Sequence, residues 1–169
     1  MKQEILQFIS PDYPWADRIL YTPETGSTND DLKALAKQGA SHGTAILAGR
    51  NADKIILKNC FDEECAKVMV ATDDGSMGHH GFVDALVRQE LEQDKSYDYV
   101  LACGPKPMLR NVAKVAEEFG IPCLVSMEER MGCGIGACLV CACDMADGSR
   151  KHVCKDGPVF DSKEVDWNA

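Results

Sequence analysis

The chain has 169 residues, with 18 Lys and Arg against 27 Asp and Glu and a formal net charge of −9. That acidic balance argues against binding to a phosphate backbone, which takes a basic patch, and no apolar run approaches the roughly 20 residues that span a bilayer. With 45% hydrophobic and 27% charged residues, the composition is that of an ordinary globular protein able to bury one modest core.

Taken in chain order, Met1-Lys-Gln-Glu4 leads into no apolar stretch of the signal-peptide kind, so the expected location is the cytoplasm. Residues 18–22 have the pattern of a short strand. Pro23 to Ser27 is a loop, and Thr28 or Asn29 can cap a helix running to Lys37, with Leu32, Leu35 and Ala36 on one face and Gly39 as its stop. Thr44 to Ala48 is an apolar strand, and residues 54–57 form a short strand or a turn. Val68 to Thr72 is a stronger strand, ended by Asp73-Asp74-Gly75. The spacing of Phe82, Leu86 and Val87 predicts a helix from Phe82 to Glu92, with His79 and His80 in the loop before it. Tyr99 to Ala102 is a strand that runs into Cys103-Gly104-Pro105. Lys106 to Phe119 is a helix with Met108, Val112, Val115 and Phe119 inward and Gly120 as stop, and Pro122 to Ser126 is the next strand. Strands and helices alternating at this spacing imply βαβ units and a mostly parallel sheet, hence an α/β fold. After Arg130 the pattern gives way to a loop rich in Gly and Cys, a polar hairpin-like stretch and an acidic tail.

Nine cysteines in a chain without an export signal point to metal or redox chemistry, because a reducing compartment disfavours disulfides and an odd number cannot pair fully. Five of the nine fall between Cys133 and Cys154. Cys133-Gly-Ile-Gly-Ala-Cys138-Leu-Val-Cys141, followed by Cys154, has the spacing C-x4-C-x2-C-x12-C, the plant-type arrangement for a [2Fe–2S] cluster. Gly132, Gly134 and Gly136 let so short a loop fold around an inorganic core and turn its N–H groups toward the anionic cluster. A four-cysteine zinc site is the competing reading, but its usual form is two C-x2-C knuckles. Structural disulfides and inert buried thiols are the others. Cys143 fits no ligand spacing and is expected not to bind metal.

The segments from Met127 to Cys143 and from His152 to Asp161 resemble the electron-transfer subunit of heteromeric, NAD-linked dihydroorotate dehydrogenase. The resemblance extends back through Tyr99-Val-Leu-Ala-Cys-Gly-Pro-Lys-Pro-Met108 and Val70-Ala-Thr-Asp-Asp-Gly-Ser-Met-Gly-His-His-Gly-Phe-Val83 to about Gly49. It implies a partial ferredoxin-reductase-like NAD-binding sheet over residues 51–126 and a [2Fe–2S] domain over 127–169, with Cys133, Cys138, Cys141 and Cys154 as the cluster ligands. It also implies a subunit that carries FAD, passes electrons between NAD and a catalytic dihydroorotate dehydrogenase subunit in a heteromer, and so serves pyrimidine biosynthesis. Thr72, Asp73, Asp74 and Gly75 then stand at the strand end that receives the adenosine side of the dinucleotide. The carboxylates would repel a 2′-phosphate, favouring NAD over NADP. Asp-Asp-Gly is also ordinary turn chemistry. Cys103, Gly104 and Pro105 match the superfamily motif beside the nicotinamide, where the next helix offers N–H groups to an anion.

The flavin-binding barrel of that family and its Gly-rich pyrophosphate loop have no counterpart in the sequence, so the chain is expected to be a truncated form, inactive alone. Ile19 to Arg50 instead resembles the start of a biotin protein ligase catalytic domain, with Gly26-Ser27-Thr28-Asn29 matching its biotin-contacting segment. The adenylate loop and catalytic lysine of that family are missing, so ligase activity is not expected. A charge shift accompanies the join: residues 1–50 hold five basic and six acidic residues, the remainder 13 and 21. The strand, loop, helix and strand of this fragment are expected to stand in for the first βαβ unit of the sheet. Two alternatives to an electron-transfer subunit remain from sequence: a non-enzymatic [2Fe–2S] module that binds a partner, and a biotin ligase remnant.

Overall fold

The computed structural model describes residues 43–168. The strand expected at 18–22, the helix expected up to Lys37 and most of the biotin-ligase-like segment lie outside the described residues.

The apolar run Thr44–Gly49 forms β1. A single 3-10 turn, Ala52–Lys54, and a helix, α1 (Lys58–Glu64), carry the chain across to β2 (Lys67–Thr72). β2 lies parallel to β1, with Thr44 opposite Lys67 and Gly49 opposite Thr72. Residues 54–57 therefore make a turn rather than a strand, closed by Leu57 in the left-handed region at φ 57°. The sequence pattern did not announce α1. Its residues bury nothing, and an i,i+4 ion pair of 2.6 Å between Lys58 and Asp62 is a local prop.

His79–His80 forms a two-residue strand, β3, parallel to β2, with Ala71 opposite His79. This corrects the expectation of a plain loop there, and the reason is Gly78. Its φ is +68°, and a Cβ would sit 2.1 Å from the carbonyl oxygen of Val70, so only glycine lets the chain press back onto β2.

α2 (Val83–Gln93) buries Val83, Leu86, Val87, Glu90 and Leu91. Phe82, expected on that apolar stripe, is the residue before the helix and is 70% exposed. The helix begins one residue later, so Val83 sets the phase of the stripe. β4 (Val100–Cys103) follows, then α3 (Lys106–Glu118), and β5 (Cys123–Ser126) returns parallel to β4. Gly120, with φ +71°, ends α3 as expected. The chain continues into a hairpin, β6 (Ala142–Asp144) and β7 (Arg150–His152), then a short helix, α4 (Val153–Asp156). The last strand, β8 (Val159–Asp161), adds antiparallel to the free edge of β5.

The fold is α/β with parallel strand pairs, as expected. Among the described residues the strands are ordered β1-β2-β3 and β4-β5-β8, with β6 and β7 as a separate two-stranded ladder. One helix layer serves both. Val83, Val87 and Leu91 of α2 pack with Val112 and Val115 of α3, and Ile46 of β1 and Val100 of β4 close on that cluster. The other face of α3, through Leu109, Ala113 and Ala116, packs on β5 and on Cys141, Cys143, Val153 and Phe160 of the C-terminal part. Among the described residues no helix is long and apolar enough to cross a membrane.

A polar staple ties the first sheet to α2. Buried Glu90 accepts a hydrogen bond from Lys67 at the start of β2 and another, at 2.7 Å, from the Tyr97 hydroxyl, which also meets Thr44 Oγ1 at 2.7 Å. Burial pushes the Glu90 carboxyl up, but the bonds from Lys67 and Tyr97 outweigh it and hold its pKa below the ordinary value. A carboxyl lowered on folding stabilises the fold above its unfolded pKa and loses that contribution as pH falls through the folded value. Glu90→Gln is therefore expected to cost roughly 1–3 kcal/mol at neutral pH. The gap to the unmodified protein should close below the carboxylate range, as urea melts across pH will register. Leu109, 0% exposed, makes a second test: Leu109→Ala is expected to cost about 2–5 kcal/mol in the same melts.

Candidate metal centre

The cysteine-bearing loop hangs between two fixed points. Met127, at its start, is buried and its N–H donates to the carbonyl of Pro158 at 2.9 Å. At its other end Cys141 is 1% exposed, and β6 begins at the next residue. The β6–β7 hairpin pairs Ala142 with His152, and the Val153 N–H donates to the Cys141 carbonyl at 3.0 Å. This register returns the chain to the loop after the twelve intervening residues, and the first turn of α4 presents Cys154 beside Cys141.

The loop wraps Cys133 in donors. The N–H groups of Ala137 and Cys138 point at its sulfur, at 3.2 and 3.4 Å. The N–H of Ile135, those of Cys138 and Ala137, and the Cys138 thiol together draw the Cys133 thiol down to about 6. Cys154 is pushed the other way, first by the Cys141 thiol it touches and then by burial, against a bond from the Gly136 N–H. The charges of Cys141 and Cys133 add to that rise. The thiols thus act on one another, Cys138 on Cys133 and both Cys141 and Cys133 on Cys154. Among the described residues no group of three or more His, Cys, Asp and Glu side chains is placed to hold a single metal ion. Gly136 is required here: at φ +76° a Cβ would meet the Lys155 side chain at 2.6 Å and crowd α4 away from the loop.

All nine cysteines are free thiols. Cys143, two residues past Cys141, is buried in the same apolar cluster, where its Sγ meets the Lys151 carbonyl at 3.4 Å and Met145 Sδ at 3.9 Å, and burial raises its pKa. Around the four loop thiols Met131, Ile135, Leu139 and Val140 stand 54–75% exposed. Sequence reasoning passed over them, although four apolar side chains in a glycine-rich loop are themselves a signal.

The other candidate residues lie at strand ends. Asp73, Asp74 and Gly75 form an exposed turn after β2, hung on the end of β1 by bonds from the Asp73 N–H to Gly49 O (3.1 Å) and the Asp74 N–H to Arg50 O (3.2 Å). Thr72 is fully buried, its hydroxyl 2.8 Å from Met77 O and 3.1 Å from Met77 N, so it shapes the turn from inside. Asp74 Oδ1 accepts from both the hydroxyl (2.6 Å) and the N–H (2.9 Å) of Ser76, and these bonds lower its pKa. Asn51 was missed by sequence reasoning. It directly follows Arg50, and its buried Oδ1 has no partner among the described residues. Cys103 is exposed at the end of β4, Gly104 follows in the positive-φ region at 154°, and Pro105 leads into α3. Both sets stand at the carboxyl ends of parallel strands, where open α/β sheets bind ligands.

The described chain is thus a parallel α/β region followed by a loop that bears four thiols. Residues 128–166 match the family model described as the iron–sulfur cluster binding domain of dihydroorotate dehydrogenase B. The chain is similar to curated electron-transfer subunits of NAD-linked dihydroorotate dehydrogenase B. It is 45% identical over 102 residues to that of Clostridium acetobutylicum, covering 60% of this chain and 39% of the relative. It is 42% identical over 137 residues to that of Caldanaerobacter subterraneus subsp. tengcongensis, covering 79% and 53%. A chain from the structure of NADH-dependent reduced ferredoxin-NADP oxidoreductase, described in connection with flavin-based electron bifurcation, superposes with a TM-score of 0.67 at 33% identity. That match covers 81% of this chain and 50% of the solved one. The chain therefore spans about half the length of the relatives it matches or less.

The thiolate is the nucleophile in alkylation, so a thiol near 6 is mostly reactive at pH 7 while a buried thiol is not. In metal-free, reduced protein, brief iodoacetamide treatment at pH 7 is expected to label Cys133 well before Cys143. Peptide mass spectrometry reads the order, and equal labelling of the two would show that the loop N–H groups do not activate Cys133.

Proposed function

We propose that the chain is the electron-carrying part of an NAD-linked dihydroorotate dehydrogenase, acting in the cytoplasm beside a catalytic subunit. In this reading residues 127–169 form the cluster domain and residues 51–126 part of an NAD-binding domain. The donor set carries it: four free thiols on the loop and the start of α4, with loop N–H groups aimed at Cys133, suit a [2Fe–2S] cluster, in which each iron takes two cysteine ligands. Cys133, Cys138, Cys141 and Cys154 would hold that group, which when bound supplies one-electron transfer. The loop N–H groups at Cys133 stabilise negative charge at that sulfur, and buried Cys141 and Val153 keep water from the inner side. Asp73 and Asp74 offer carboxylates to ribose hydroxyls and repel a 2′-phosphate, so the dinucleotide is NAD. Gly75 leaves the turn open, Thr72 holds it from beneath, and Cys103, Gly104 and Pro105 border the nicotinamide end. FAD is the further cofactor the family implies, and no described residue is assigned to it.

Protein purified without oxygen is expected to be brown, to contain iron and acid-labile sulfide in equal amounts, and to give an EPR signal after dithionite. Cys138→Ser and Cys154→Ser should each lose most of the iron, while Cys143→Ser keeps it. A colourless protein with stoichiometric zinc would sink the reading. Reduction of the cluster by NADH, but not by NADPH, supports the NAD assignment. Iron and sulfide without any response to NADH would instead make the chain a non-enzymatic cluster module for a partner.

A further inference from the structure

The thiol loop and the element that carries the last thiol are held with unequal firmness. α4 follows the β6–β7 hairpin directly, and its first residue, Val153, is buried in the apolar core. The His152 N–H donates to Asp156 Oδ2 at 2.7 Å, which ties the two ends of this short helix together. The loop from Met131 to Val140 is exposed along most of its length, with Gly136 and Cys138 half-buried. A Cβ built on Gly134 would meet nothing within 4 Å, and one built on Gly132 would meet Cys138 and Val140, which belong to the loop itself. Gly136 is different. A Cβ there would stand 2.6 Å from Cδ, 3.1 Å from Cβ and 3.4 Å from Cγ of Lys155, so the lysine stem of α4 lies directly over the bare Cα of the loop.

This contact bears on the thiols because of what Gly136 does with its backbone. Its N–H donates to the sulfur of Cys154, the residue next to Lys155. One glycine thus meets α4 twice, through its N–H at the thiol and through its Cα under the lysine stem. A hydrogen bond to a ligand sulfur favours the more negative, reduced state of a cluster, and the contacts around a metal's ligands help to retain it. A glycine on an exposed loop holds such a bond weakly by itself, because glycine loses the most conformational freedom on being fixed. The Cβ, Cγ and Cδ of Lys155 laid across it restrict that freedom, while the charged head of an exposed lysine is left to water.

We propose that Lys155 is a positioning residue of the metal centre: its aliphatic stem clasps Gly136 and so keeps the Gly136 N–H on the Cys154 sulfur. Its effect on iron rests on the cluster reading above, and its effect on the loop rests on geometry alone. A metal-free arm separates the two. Hydrogen exchange of the full chain, reduced and metal-free, is followed over residues 133–138 in the unmodified protein, in Lys155→Ala and in Lys155→Met, which keeps a stem and removes the charge. Lys155→Ala is expected to speed exchange there by roughly fivefold, the scale of a few lost methylene contacts, and Lys155→Met to stay near the unmodified rate. In protein purified without oxygen and carrying iron and sulfide, Lys155→Ala should lose iron to a chelator faster than Lys155→Met. It should also titrate at a lower midpoint potential than Lys155→Met, as EPR reads. Equal exchange in all three proteins overturns the clasp. Lys155→Met changing exchange, iron loss and potential as far as Lys155→Ala overturns it too, because the lysine then acts through its charge. The expected exchange difference in a protein that binds no iron or sulfide supports the clasp and overturns the cluster reading instead.

Discussion

The hydrogen bond from the Val153 N–H to the Cys141 carbonyl is the contact on which the rest of the thiol centre depends. It extends the β6–β7 ladder by one residue past the pair Ala142 and His152, and so decides which side chain returns beside Cys141. A slip of β7 by one residue would turn its side chains to the other face and carry Cys154 away from Cys141. Val153 is 1% exposed and Cys143 5% exposed, both packed with Leu109 and Phe160, so the apolar core sets this register.

The same core joins the cysteine region to the α/β region through one helix. α3 presents Leu109, Ala113 and Ala116 to the C-terminal part and Val112 and Val115 to α2. Residues three and four apart on a helix lie on one side of it, while a step of one turns through about 100°. Thirteen residues thus give α3 two apolar stripes, one for each neighbour. The helix start lies just after Cys103 and Gly104, and its apolar flank underlies Cys141 and Val153. Cys103 and Gly104 and the thiol loop are therefore both placed by a single rigid element.

The acidic turn after β2 follows a different logic. Thr72 holds the turn from inside, and Ser76 bonds Asp74 while its own Oγ accepts the Ala52 N–H at 2.8 Å. The turn is thus tied to both β1 and β2 before any ligand is considered. One oxygen of Asp74 is committed to that scaffold, and Asp73 beside it is exposed. Ordinary turn chemistry and a ribose-facing carboxylate are compatible here, because the turn fixes where the second carboxylate stands.

By itself, the sequence determined whatever depends on neighbours along the chain. The thiol spacing from Cys133 to Cys141 was readable because three cysteines fall within nine residues, and α3 was readable because its apolar positions repeat at helical spacing over thirteen residues. α1 was not, since a helix that buries nothing leaves no apolar period. The start of α2 was missed by one residue, because Phe82 is apolar yet faces solvent, while Leu86 and Val87 are buried as expected. Only tertiary structure decided the rest. β3 exists because Gly78 lets His79 and His80 pair with Ala71 and Thr72, eight residues back, and the antiparallel addition of β8 to β5 concerns an edge that no local pattern describes. The physical reason is range: spacing and periodicity act within a few residues, whereas register, edge pairing and the meeting of Cys154 with Cys141 are settled by packing and backbone bonds between distant segments.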